Sequence, residues 1–319
     1  METKSILYIC KRVSSGILFL LLAVSCQTKP TSAPHDPIIQ MPQGSSIPFP
    51  EASAESVNVP QFVGQRAPRI GLIFGPGGAK TLAQIGVLQE IEKNKLPIAA
   101  VAGLEWGALV GGLYAHNGQI HEMDWKISQL PKSTFSNKGL FSQKMKPAAS
   151  KDYDLFLGKV FTDSRMEQTK IPFACTYLRA PSGRVSLATK GSLKNSMRGC
   201  WYFPPMFSYS DVLAAPFALQ EAVQFLKSSG AELIVLINVL DSVDKKQFAD
   251  WNENNGIWLA WAASLQSLKN AKTMGVHEVI NVETSAYKIT DIEQRLRLIQ
   301  LGRQSAAGPL KQIIEKYNF

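Results

Sequence analysis

Residues 69–115, RIGLIFGPGGAKTLAQIGVLQEIEKNKLPIAAVAGLEWGALVGGLYA, limit what this chain can fold into more than any other stretch. Ile70–Phe74 is a short apolar run, and Gly75-Pro76-Gly77-Gly78-Ala79-Lys80 is a glycine-rich turn ending in a base. Thr81–Lys95 places Leu82, Ile85, Val87, Leu88 and Ile91 near helical spacing, and Ile98–Ala102 reads as a second buried strand. That strand runs straight into Gly103-Leu104-Glu105-Trp106-Gly107 and a further helical run, Ala108–Ala115. The order predicts a right-handed βαβ unit with a sharp turn after its second strand. The turn has the spacing of a nucleophile elbow, Gly-x-Ser-x-Gly, whose glycines are required because the strained backbone leaves no room for a Cβ. Here the central residue is Glu105.

With these residues in view, the chain resembles the bacterial patatin-like phospholipases. The resemblance continues through IPFACTYLRAPSGRVSLATKGSLKNSM, FPPMF and SGAELIVLINV to LIQLGRQSAAGPLKQI, and so spans residues 69–315. It implies an oxyanion loop at Gly75, Gly77, Gly78 and Lys80, and an elbow at Gly103, Glu105 and Gly107. The family's mechanism is a serine–aspartate dyad, so no histidine, metal or cofactor is implied. Counting back from Ser229-Gly230-Ala231-Glu232-Leu233 puts the aspartate of the dyad at Ala214. Asp211 stands close by but lacks the glycines that follow the family's aspartate. In the loop, Pro76 occupies a glycine position and removes an N–H donor, and Thr81 replaces the glycine that follows the base.

Both dyad positions are therefore altered together. A carboxylate attacking an ester would give a mixed anhydride, and an aspartate facing it would have no proton to take. An elbow side chain projects toward the oxyanion loop, whose free N–H groups favour negative charge. Glu105 is thus expected to stand there as a permanent carboxylate, accepting hydrogen bonds from the Gly77–Gly78 region or pairing with Lys80.

The remaining chain divides into residues 1–25, 26–68 and 69–319. Met1–Ser25 has a basic start at Lys4, Lys11 and Arg12, then the apolar run Gly16–Val24, too short to span a bilayer comfortably. It reads as a signal peptide. Ala23-Val24-Ser25-Cys26 resembles a bacterial lipobox, which implies acylation of Cys26; an uncleaved anchor or an ordinary signal peptide with an incidental cysteine are the alternatives. Gln27 after the cysteine resembles the pattern for sorting to the outer membrane. Residues 26–68, rich in Pro, Ser, Ala and Gln, cannot bury enough surface to order themselves and are expected to form a tether. The expected location is the bacterial cell envelope, with membrane lipid as partner through Cys26.

A formal charge of +9 suits an anionic lipid surface or an ordinary solvated one, and no basic helix or aromatic-basic motif points to nucleic acid. His116 and His121 are five apart near a helix end, off the spacing of a zinc pair on one helical face, so a solvated surface is expected rather than a metal site. Cys175 and Cys200 are expected as buried free thiols, although an export compartment permits a disulfide. The aromatic run Trp201–Phe207 reads either as part of a site or as a hydrophobic corner.

Further elements are expected at Arg165–Val185 (two strands turning at Pro181-Ser182-Gly183), Glu221–Ser228 (helix), Leu233–Leu240 (strand), Trp251–Met274 (helix) and Val276–Val282 (strand). Helices at Asp291–Leu301 and Gly308–Tyr317 close the domain, the first capped by Asp291 or Thr290. Alternating helices and buried strands predict an α/β fold, a three-layer α/β/α sandwich with a mostly parallel central sheet. Two functions follow. One is a non-catalytic, membrane-tethered protein that binds a lipid or acyl ligand or envelope proteins. The other is a lipid acyl hydrolase that uses Glu105 as general base for water.

Overall fold

A computed structural model of the chain describes residues 66–131, 150–204, 207, 210–241 and 255–319, all within the compact unit Ser56–Phe319. The signal segment, Cys26, His35, the tether up to residue 65, Pro205, Met206 and Trp251 lie outside the described residues. Among the described residues, no helix is long and apolar enough to cross a membrane.

The architecture follows from strands that are apolar on both faces. Strand β1 (Ile70–Phe74) sends Ile70, Leu72 and Phe74 into one core and Ile73 into another. Strand β6 (Leu233–Asn238) divides likewise, with Leu233, Val235 and Ile237 on the first side and Ile234 and Leu236 on the second. This is the two-residue alternation of a strand covered on both faces. Strands β2 (Ile98–Gly103), β3 (Phe173–Arg179) and β7 (Glu278–Asn281) extend the parallel sheet. β4 (Arg184–Ala188) and β5 (Val212–Ala214) pair antiparallel with β3. The order is β4-β3-β2-β1-β6-β7, with β5 also on β3.

Helices α1 (Ala83–Lys93), α2 (Trp106–Asn117), α3 (Ile120–Ser128), α4 (Ser150–Phe161), α5 (Leu193–Trp201) and α8 (Arg295–Tyr317) contribute to the first core. Helices α6 (Leu219–Ser228) and α7 (Asn255–Lys269) contribute to the second. The result is the expected three-layer α/β/α sandwich with a mostly parallel sheet. Its site-forming end is set by register: Phe74 at the end of β1 is level with Gly103 of β2 and Ile237 of β6.

Several local expectations change. The first helix begins earlier, as a 3₁₀ turn over Gly78–Leu82 that includes part of the glycine loop. The two closing helices are one, α8, with Pro309 inside it. Leu298, Gly302, Ala306, Leu310, Ile313 and Tyr317 form a continuous buried stripe through the segment where a break was expected. A Cβ on Gly302 would lie 1.8 Å from the Ala83 carbonyl oxygen, so the two helices touch backbone to backbone there. That packing outweighs the propensity cost of glycine and proline. Asp291 caps no helix with its side chain; its Oδ2 instead accepts from the Lys288 N–H at 2.8 Å.

Cys175 on β3 and Cys200 on α5 form a disulfide, with Cα atoms 5.7 Å apart, rather than the expected pair of free thiols. The Pro181-Ser182-Gly183 turn reverses the chain, and α5, capped by the Ser192 side chain, returns it across β3. Closing a loop of sequence separation 25 restricts the unfolded chain by about 3 kcal/mol. Cys175→Ser with Cys200→Ser is therefore expected to lower unfolding free energy by that order in denaturant melts. Alkylation of the chain denatured without reductant should leave both cysteines unlabelled, and labelling of both would contradict the pairing.

Candidate functional site

The elbow is built as its glycines require. Leu104 N–H donates to Phe74 O at 3.0 Å and Gly107 N–H to Leu104 O at 2.9 Å, folding the chain back on β1 as α2 starts. A Cβ on Gly103 would lie 2.3 Å from Ala108 Cα, and one on Gly107 would lie 2.2 Å from Phe74 O. Glu105 sits between them at φ 52, ψ −124, a left-handed conformation that side-chain-bearing residues rarely adopt. Such strain costs on the order of 1–3 kcal/mol and persists only where the surroundings impose it.

The glycine loop faces this residue, and its backbone donors can be followed one by one. Gly75 N–H donates to Ile237 O at 3.1 Å, Ala79 N–H to Ile289 O at 2.7 Å and Lys80 N–H to Gly77 O at 3.2 Å. Pro76 has no N–H. The remaining two, Gly77 N–H and Gly78 N–H, both donate to Glu105 Oε2, at 3.1 and 3.0 Å. The structure thus brings together Gly77, Gly78 and the elbow residue. Gln84, buried on α1, fixes the loop from behind by donating to Gly75 O at 2.8 Å and Ile237 O at 3.2 Å.

Lys80 does not pair with Glu105. Its side chain, 1% exposed, places Nζ 3.5 Å from Asp241 Oδ1 just beyond β6. Glu105 is itself fully buried, which pushes its carboxyl up from the usual range to about 8 despite the opposing N–H groups of Trp106, Gly78 and Gly77. Burial therefore works against the permanent carboxylate that the sequence suggests and favours the protonated form. Both loop donors reach Oε2, so a proton on Oε1 would leave them in place.

The position that the resemblance assigns to the aspartate is equally clear. Ala214 ends β5, buried and opposite Tyr177, and Thr176 anchors the next residue by donating its hydroxyl to Ala215 O at 2.9 Å. Asp211 lies three residues earlier, a distance of roughly 10 Å along a strand. It is exposed, and its backbone oxygen accepts from Ala180 N–H. The structure does not bring the Asp211 carboxylate to Glu105.

The aromatic run forms a buried corner against the elbow. Trp106, the residue after Glu105, meets Trp201 edge to face at 5.2 Å, and Trp201 in turn meets Tyr153 at 5.3 Å and Phe207 at 5.5 Å. The histidines have other surroundings: His116 packs on Phe161, and His277 Nδ1 accepts from Ile234 N–H. Sequence reasoning missed Gln84 and Asp241. A glutamine at the buried end of α1 was a signal for the first; nothing near Asp241 signalled the second.

Residues 72–225 match the protein-family model described as patatin-like phospholipase. Lysophospholipase NTE1 of Cryptococcus neoformans var. neoformans serotype D is 24% identical over 234 residues, covering 70% of this chain and 14% of that protein. Lysophospholipase NTE1 of Phaeosphaeria nodorum is 23% identical over 282 residues, covering 77% of this chain and 18% of that protein. The chain thus spans less than a fifth of the length of these relatives. Among solved structures, VipD from Legionella pneumophila aligns over 79% of this chain and 68% of that one, with 11% identity and a TM-score of 0.43. The type III effector protein ExoU aligns over 77% and 53%, with 13% identity and a TM-score of 0.36.

The protonation of Glu105 carries a stability prediction. Between its usual range near 4.5 and about 8 the folded chain binds a proton that the unfolded chain has released. This contribution is complete below 4.5 and is lost as pH rises through about 8, with a slope of at most about 1.4 kcal/mol per pH unit. Glu105→Gln keeps an oxygen for the loop donors and removes the titration. Denaturant melts across this window should therefore show a flatter pH dependence for the variant, and equal slopes would contradict the assignment.

Proposed function

From the match of residues 72–225 to the patatin-like phospholipase model, we propose a non-catalytic role, in which the domain binds lipid or protein partners at a membrane to which Cys26 tethers it. One observation carries this reading: the two loop N–H groups that could stabilise an acyl oxyanion are both used by Glu105 Oε2. In a serine enzyme these donors wait for charge that develops in the transition state. Here they are satisfied in the resting protein by the residue in the nucleophile's place. Ala214 supplies no base, and a carboxyl nucleophile leads to a high-energy anhydride.

The raised pKa of Glu105 favours a second reading, in which its carboxylate deprotonates a water that attacks an ester. Against it, the same oxygen would have to leave the loop before the oxyanion could be held there. The assay that separates the two is turnover of p-nitrophenyl esters and phospholipids. The non-catalytic reading expects background rates from the wild type and from Glu105→Ser, with gain only when Glu105→Ser is combined with Ala214→Asp. Wild-type turnover that disappears in Glu105→Ala would establish the general-base reading instead.

The tethering half of the proposal rests on the lipobox-like Ala23–Cys26 and the Pro/Ser-rich segment after it. It places the domain in a bacterial envelope, on the outer membrane. Two or more acyl chains would hold it stably, since each buried CH₂ contributes about 0.8 kcal/mol. Cells fed a clickable fatty acid should label the wild type and not Cys26→Ser; equal labelling would refute acylation at this residue.

A further inference from the structure

We propose that the groove between the β3–β4 hairpin and α5 binds an organic phosphate. The groove has a volume of about 390 Å³, within the range of small-molecule clefts. Its charged lining residues, Arg179 and Lys190, are both cations, and among the described residues no carboxylate lines it. Asn195 and Ser196 of α5 add uncharged polar groups, while Leu187 and Val212 supply an apolar wall.

The charge around this groove is left unbalanced by the fold. Arg179 pairs directly with Arg184 across the antiparallel β3–β4 ladder. Like charges placed opposite each other on neighbouring strands destabilise the pair. Among the described residues, neither arginine nor Lys190 is in an ion pair, whereas nearby Arg165 and Arg198 are paired with Glu167 and Asp154. The guanidinium of Arg179 lies over the Tyr177 ring, 5.8 Å from its centroid, which stations it at the groove wall. A bound anion would offset the repulsion that the hairpin itself leaves in place.

The donor set selects the anion. A planar carboxylate is satisfied by one guanidinium fork, whereas a phosphate presents oxygens in several directions. An arginine from β3, a lysine beyond β4 and amide and hydroxyl groups from α5 approach from separate elements, as a tetrahedral anion requires. The space exceeds a bare phosphate, and Leu187 and Val212 can cover the carbon portion of an ester. The groove adjoins the emptied dyad position, because Tyr177, which also lines it, is the cross-strand partner of Ala214.

This proposal rests on the reading of the domain as a binding module, but its site shares no residue with the glycine loop or elbow. Binding and turnover can therefore fail separately. The test is calorimetric titration of the full chain carrying Cys26→Ser with glycerol 3-phosphate, with glycerol as the neutral control. Saturable binding that weakens with salt is expected, reduced at least about tenfold in Arg179→Gln with Lys190→Gln and unchanged in Lys311→Ala on α8. Both substituted side chains are exposed, so the double variant should melt as the wild type does. Flotation with phosphatidic acid vesicles, but not with phosphatidylcholine alone, would identify a lipid headgroup as the source; calorimetric binding without flotation would identify a soluble ester. Absence of saturable glycerol 3-phosphate binding together with absence of flotation overturns the proposal, and so does binding that is indifferent to salt or survives the double variant.

Discussion

The turn from β2 into α2 has no space beside it, and the rest of the site follows from that. Gly103 and Gly107 lie so close to Ala108 and the Phe74 carbonyl that neither could carry a side chain. The central side chain of the turn, at residue 105, is held at a positive φ and meets the glycine loop that follows β1. Register supplies the other half of the geometry, because Phe74 is level with Gly103 and the loop must therefore begin beside the elbow. A serine there would meet a ring of donors. A glutamate is longer, reaches those donors and occupies them.

Occupation does not make the site electrostatically simple. The loop N–H groups favour a charged carboxylate, while complete burial favours a neutral one, and burial outweighs them. Lys80 could have shifted the balance had it approached Glu105, but it is committed to Asp241. A buried cation with a partly exposed partner and a buried acid with backbone donors thus lie in one loop region as separate solutions to the same desolvation problem. The turn and the glycine loop together form a frame that the protein fills with its own side chain.

Much of this was legible in the sequence because it is local. The apolar runs Ile70–Phe74 and Leu233–Asn238 read as strands buried on both faces, and the paired glycines around Glu105 read as a turn without room. The contact of Glu105 with Gly77 and Gly78 followed from joining two such local readings. What stayed hidden depends on distant partners. Asp241 reaches Lys80 only because β6 lies beside β1, and Cys200 reaches Cys175 only because α5 returns over β3. The continuity of α8 through Gly302 and Pro309 was hidden for the same reason, since contact with α1 decides it. The upward push that burial gives the Glu105 carboxyl stayed hidden too, because burial is a property of the assembled core.

The central claim is that the Glu105 carboxyl itself holds the loop donors. It is tested most directly by following the Glu105 carboxyl carbon and the Gly77 and Gly78 amides together by NMR as pH is raised. The account predicts that the carboxyl titrates with a midpoint near 8 and that both amide resonances move with the same midpoint. A carboxyl that titrates in the ordinary glutamate range while the two glycine amides stay still would contradict it.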